Sequence, residues 1–70
     1  MGKITYRKLK SVLESRGKTF YSLRKDGIVG SASIYKLQHD EGYIDTRTII
    51  SICEYLKCQP ADFMEYIEEE

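Results

Sequence analysis

An all-α fold, a compact five-helix bundle, is what this 70-residue sequence predicts. Three observations carry that prediction. Apolar residues recur at helical spacing, most plainly Ile49, Ile52, Cys53 and Leu56 at i, i+3, i+4 and i+7. Residues that cap and stop helices separate these stripes, with Thr5, Thr19 and Asp45 ahead of them and Gly17, Gly27 and Gly42 behind. The third is the stretch Thr19–His39, TFYSLRKDGIVGSASIYKLQH, which reads as two short helices around a glycine-marked turn. No strand, linker, internal repeat or low-complexity segment stands out, so residues 1–70 read as a single domain.

Helix 1 is expected to start at Thr5, a good N-cap, with Ile4 able to staple onto Leu9. Leu9, Val12 and Leu13 form its inward stripe, while Tyr6, Arg7, Lys8, Lys10 and Glu14 face mostly outwards. Arg16 suits the negative end of the helix dipole, and Gly17 is the stop. Thr19 caps helix 2, about Phe20–Lys25, and Leu23 anchors it. Gly27 and Gly30 then bracket Ile28 and Val29. Helix 3 runs from about Ala32 to His39, capped by Ser31 or Ser33, with Ile34 and Leu37 pointing back inward. Asp40, Glu41 and Gly42 merely end it. Asp45 caps helix 4, with Ile44 able to staple onto Ile49, and Lys57 and Cys58 close it. Pro60 fits the first position of helix 5, whose Phe63, Met64, Tyr66 and Ile67 supply apolar surface. The acidic tail, residues 68–70, is expected to fray.

The formal net charge is zero, but its distribution is lopsided. Residues 1–36 hold nine Lys or Arg against Glu14 and Asp26; residues 37–70 hold Arg47 and Lys57 against nine Asp or Glu. A basic half that contains the Thr19–His39 stretch suggests an electrostatic footprint for a polyanion. The competing reading is a dipolar domain whose charges only solvate it. No apolar run approaches the roughly 18 residues of a membrane span, and no apolar stretch follows the basic start MGKITYRKLK, as a signal peptide requires. Cys53 and Cys58 form no disulfide framework and fall short of the about four ligands of a zinc site. They read as buried thiols of a cytoplasmic protein. No Ser/His/Asp set, phosphate-cradling glycine loop or paired carboxylates exist, so the sequence argues against an enzyme and implies no cofactor, metal or small-molecule ligand. The lone histidine, His39, suits a helix end.

Two helices crossing steeply through a short turn are the frame of a helix-turn-helix, whose second helix offers its outward face to the DNA major groove. Here that face carries Ser31, Ala32, Tyr35, Lys36 and His39. Lysine can hydrogen-bond guanine O6 and N7, and tyrosine a base edge or a phosphate. Lys18, Arg24, Lys25 and Arg7 are candidate phosphate neutralisers.

Along nearly its whole length the chain resembles small Cro- and phage-repressor-like helix-turn-helix regulators of the Xre type. The most specific part is ICEYLKCQPADFMEYI, residues 52–67. It is similar to the end of a branch of short bacterial regulators, in which I-C-x-x-L-x-C-Q-P is followed by D-[FI]-M-E-Y. The start, ITYRKLKSVLESRGKT, resembles that branch as well. The resemblance implies a DNA-binding transcriptional regulator, a repressor in the first instance, associated with the nucleoid. It places Leu23, Ile34 and Leu37 as buried anchors, and Ser31, Ala32, Tyr35, Lys36 and His39 as base-reading positions. It implies phosphate contacts from Lys18, Thr19, Tyr21, Arg24, Lys25, Ser33, Tyr43 and Arg47, and a homodimer interface from Phe63, Met64, Tyr66 and Ile67. Three residues depart from the family pattern. Arg24 stands where a small alanine is usual, Phe20 where glutamine is, and Gly27 comes one residue early, so that Gly30 is expected to reshape the turn. A competing class is a protein-interaction module that keeps the scaffold, with Phe20, Tyr21 and Tyr35 facing a protein partner.

Overall fold

The structure, a computed structural model, describes residues 2–68. Five helices form: α1 Leu9–Ser15, α2 Phe20–Lys25, α3 Ser31–His39, α4 Thr46–Leu56 and α5 Pro60–Phe63. Two short strands flank them, β1 Lys3–Thr5 and β2 Glu65–Ile67, so the fold is not purely all-α. The strands pair antiparallel, Lys3 opposite Ile67, Ile4 opposite Tyr66 and Thr5 opposite Glu65. Ile, Thr and Tyr suit a pleated, half-buried surface, but three residues are too few to show a period.

The sheet moves the start of the first helix. Thr5 is the last residue of β1 and is 1 % exposed, so it is not an N-cap; α1 begins at Leu9 behind Lys8, which makes no side-chain cap. Tyr6, expected outside, is 2 % exposed and belongs to the core. At the other end α5 stops at Phe63, because Met64 has already turned to an extended conformation, φ −117° and ψ 146°. The expected tail lies outside the described residues except for Glu68, which is exposed.

The four longer helices all end alike. Gly17, Gly27, Asp40 and Lys57 take a left-handed conformation just past α1 to α4. In each case the next amide closes a long backbone bond to the last turn: Lys18 to Leu13, Ile28 to Leu23, Glu41 to Lys36 and Cys58 to Cys53, at 2.8–3.1 Å. This satisfies carbonyls that the helix itself leaves open. At α4 a second donor helps: Arg16 Nε reaches the Leu56 carbonyl at 2.9 Å and ties the ends of α1 and α4 together.

One core joins every helix. Leu9 and Leu13 of α1, Leu23 of α2, Ile34 and Leu37 of α3, Ile52 and Leu56 of α4 and Phe63 of α5 are all buried, together with Tyr6, Val29 and Cys58. Cys53 and Cys58 are free thiols, half-buried and buried respectively. Desolvation pushes the Cys58 thiol above its ordinary pKa.

Candidate nucleic-acid interface

The site is built on the α2–turn–α3 unit. Thr19 caps α2 reciprocally: its hydroxyl accepts from the Ser22 amide at 3.1 Å, and Ser22 Oγ accepts from the Thr19 amide at 3.3 Å. A Thr19→Ala substitution is therefore expected to cost about 1 kcal/mol, read as a lower midpoint in urea denaturation with an unchanged slope. Leu23, 0 % exposed, anchors α2 in the core, and the neighbouring Arg24 is exposed at the surface.

The turn is made by Gly27 at φ 70°, not by Gly30. The chain then folds inward so that Val29, unassigned from the sequence, is 4 % exposed. Gly30 is the N-cap of α3 with an extended backbone, and neither Ser31 nor Ser33 caps it. Both hydroxyls are thus released from the structural role expected of one of them.

Ile34 and Leu37 turn inward and fix the rotation of α3. Ser31, Ala32, Tyr35, Gln38 and His39 are exposed on the other side, whereas Ser33 and Lys36 are half-buried. The rings of Tyr35 and His39, one turn apart, lie 4.2 Å centroid to centroid. Stacking of this kind orders an exposed pair and adds to helix stability. Lys36 does not point outward: its Nζ donates to the Tyr43 carbonyl at 3.0 Å. Phe20, Tyr21, Arg24, Ile34 and Gln38 line a shallow hollow of about 220 Å³ where α2 meets α3.

The candidate phosphate contacts divide. Tyr21, Arg24 and Lys25 are exposed on α2, and neither cation has an ion-pair partner among the described residues. Lys18 lies over the Tyr55 ring, 5.1 Å from its centroid, and the Tyr55 hydroxyl donates to Asp26 at 2.5 Å. Arg47 pairs with Asp45 at 3.5 Å at the exposed surface, an interaction worth little. Asp45 meanwhile caps α4 as expected, accepting from the Thr48 amide at 2.9 Å. Tyr43 is 82 % exposed. Arg7 and Lys8 are drawn away to Glu65 on β2, each at 3.3 Å. The basic half of the sequence is therefore not one uniform face: Arg7 and Lys8 are paired with Glu65, while Arg24 and Lys25 stand free on α2.

Asp40 is the residue that sequence reasoning undervalued. It does more than end α3: its carboxylate accepts from Thr5 Oγ1 at 2.6 Å and from the Tyr6 amide at 2.7 Å, tying the end of α3 to β1. Burial opposes its ionisation, but the Thr5 and Tyr6 hydrogen bonds, with Lys3 and Arg7 nearby, hold its pKa below the ordinary value. No local signal marks this contact, because its partners lie 34 and 35 residues away.

The four residues expected at a homodimer interface differ in exposure. Phe63 is 0 % exposed and fills the core; Met64 and Ile67 are half-buried, and Tyr66 alone of the four stands out at 63 %. Among the described residues no three His, Cys, Asp or Glu gather into a metal site, and no helix is long and apolar enough to cross a membrane.

A family model described as the Cro/C1-type helix-turn-helix DNA-binding domain matches residues 8–69. The crystal structure of the transcriptional regulator VanUg is similar over 97 % of this chain and 89 % of that one, with a TM-score of 0.84 and 29 % sequence identity. No curated protein sequence matches the chain.

Proposed function

The chain belongs to the Cro/C1-type helix-turn-helix DNA-binding domain family, and from that premise we propose that it represses transcription by laying α3 in the major groove of a specific duplex site. The observation that carries this reading is the division of α3. Ile34 and Leu37 lock one face into the core, and the opposite face offers exposed Ser31, Tyr35 and His39 with Ala32 between them. A helix held in that way presents fixed donors to base edges. Ser31 and Tyr35 read bases, and His39 lies at the far end of the groove contact. Ala32 supplies close apolar contact, as with a thymine methyl. Ser33, Thr19 and Tyr21 meet the flanking phosphates, and Arg24 and Lys25 neutralise them. A homodimer places two such helices about one DNA turn, roughly 34 Å, apart. Its interface uses Tyr66 with the half-buried Met64 and Ile67, and not the buried Phe63.

Selection from random duplexes by the purified protein tests this. An enriched motif with two half-sites one turn apart is expected, bound more weakly as salt rises. Arg24→Gln is expected to weaken every site alike and to reduce the salt slope by about 1 for each protomer bound. Binding without an enriched motif, or without salt dependence, refutes the reading and favours a protein partner for the exposed tyrosines.

A further inference from the structure

Lys36 sits on the outward half of α3, yet its side chain does not extend from the helix. It lies along the α3–α4 loop. A β-carbon built on Gly42 would come within 3.2 Å of Lys36 Cδ, so the aliphatic stem covers the bare backbone of that glycine, which has φ +74°. Beyond it the ammonium donates to the Tyr43 carbonyl at 3.0 Å.

The same loop is held from a second direction. Asp40 is bonded to Thr5 and Tyr6, and the Tyr6 hydroxyl donates to the Gly42 carbonyl at 3.1 Å. Residues 40, 42 and 43 are thereby anchored in a connection that runs only from Asp40 to Asp45. What these anchors leave outside is the side chain of Tyr43, 82 % exposed. An aromatic side chain on a restrained backbone loses little freedom when it binds. For Lys36 to reach a base edge, it would have to abandon the Tyr43 carbonyl and uncover Gly42.

We propose that Lys36 is a positioning residue and not a base-reading one: it clamps the α3–α4 loop so that Tyr43 meets the DNA backbone beside the groove that α3 enters. The proposal rests on the DNA-binding reading above. It gives Lys36 a role in affinity, through Tyr43, and none in the choice of sequence.

The test uses the full chain and the duplex motif that the wild-type protein selects. Lys36→Met keeps the stem and removes the ammonium, and Tyr43→Ala removes the exposed ring. Each is expected to weaken binding about tenfold, the loss of one hydrogen bond to a charged group. Lys36→Met should select the same motif as wild type. The double variant should be little weaker than either single one, because both act on a single contact. In the free protein, Lys36→Met should also shift the amide resonances of Gly42 and Tyr43 while the thermal midpoint stays close to that of wild type.

A changed base preference at one motif position in Lys36→Met overturns the proposal and restores Lys36 as a reader, with the DNA-binding reading intact. Additive losses in the double variant, or unmoved loop resonances, also overturn it. Failure of the wild-type protein to select any motif is a different result, which refutes the DNA-binding reading and the proposal with it.

Discussion

Phe63→Ala is expected to lower the stability of this domain by about 3–5 kcal/mol, the range for truncating a fully buried phenylalanine. Phe63 is 0 % exposed and heads the fully buried side chains by volume. A chain of 70 residues has on the order of 5 kcal/mol of stability in all. The variant should therefore be largely unfolded near physiological temperature, and its thermal midpoint should fall by some tens of degrees. Circular dichroism melts at two protein concentrations check this. An interface role for Phe63 makes the opposite forecast, of a folded monomer whose association alone is weakened. A variant that melts within a few degrees of wild type would show that Phe63 does not hold the core together.

Asp40→Ala is the second large effect. It removes the acceptor for two donors at once, the Thr5 hydroxyl, on a residue 1 % exposed, and the Tyr6 amide. Hydrogen bonds to a charged group contribute about 1.5–3 kcal/mol each, and a buried donor left without a partner costs its desolvation, so a loss of about 3 kcal/mol is expected. The loss should be felt at both ends of the molecule, since β1 pairs with β2 on one side and holds the end of α3 on the other.

The same site gives a pH signature. The folded-state pKa of Asp40 lies below its ordinary value of 3.8. Folding therefore favours the ionised form. The stabilisation is complete above the unfolded-state pKa, and it is lost as pH falls below that value and through the lower, folded-state one. Asp45 and Glu65 are shifted in the same direction, Asp45 chiefly by the Thr48 amide and Glu65 chiefly by Lys8, so the acid sensitivity of the wild type alone does not isolate Asp40. The difference between wild type and Asp40→Ala does. Measured by urea denaturation, the gap should be constant from neutral pH down to about pH 5 and then close in acid. A gap that persists unchanged in acid would mean that the ionised carboxylate is not what holds Thr5 and Tyr6.

Much of this molecule is written in short-range pattern. The stripe Ile49, Ile52, Cys53 and Leu56 specifies α4, and the caps at Thr19 and Asp45 fall where their side chains reach a free amide three residues on. Gly17 and Gly27 stop α1 and α2 by taking a left-handed conformation. Leu23, Ile34 and Leu37 set the two helices of the helix-turn-helix against the core, and so leave Ser31, Ala32, Tyr35 and His39 outside. Each of these depends on groups within a few residues of one another, and such information survives in a linear string.

The remainder depends on groups that meet only when the chain closes. Thr5 satisfies every local rule for an N-cap, yet it lies in a strand, because pairing with Glu65 and bonding to Asp40 satisfy more of its polar groups than one helix amide would. Tyr6 is polar enough to be placed outside, and the core claims its ring while Gly42 takes its hydroxyl. Lys36 has a periodicity that points it outward and a carbonyl seven residues on that turns it aside. The cores of α2, α3 and α4 and the exposed face of α3 were thus determined by the sequence itself, through contacts at one-turn spacing. The sheet, the Asp40 tie and the direction of Lys36 were decided by tertiary structure, because hydrogen-bond partners brought together by folding outweigh the weak preferences of isolated segments.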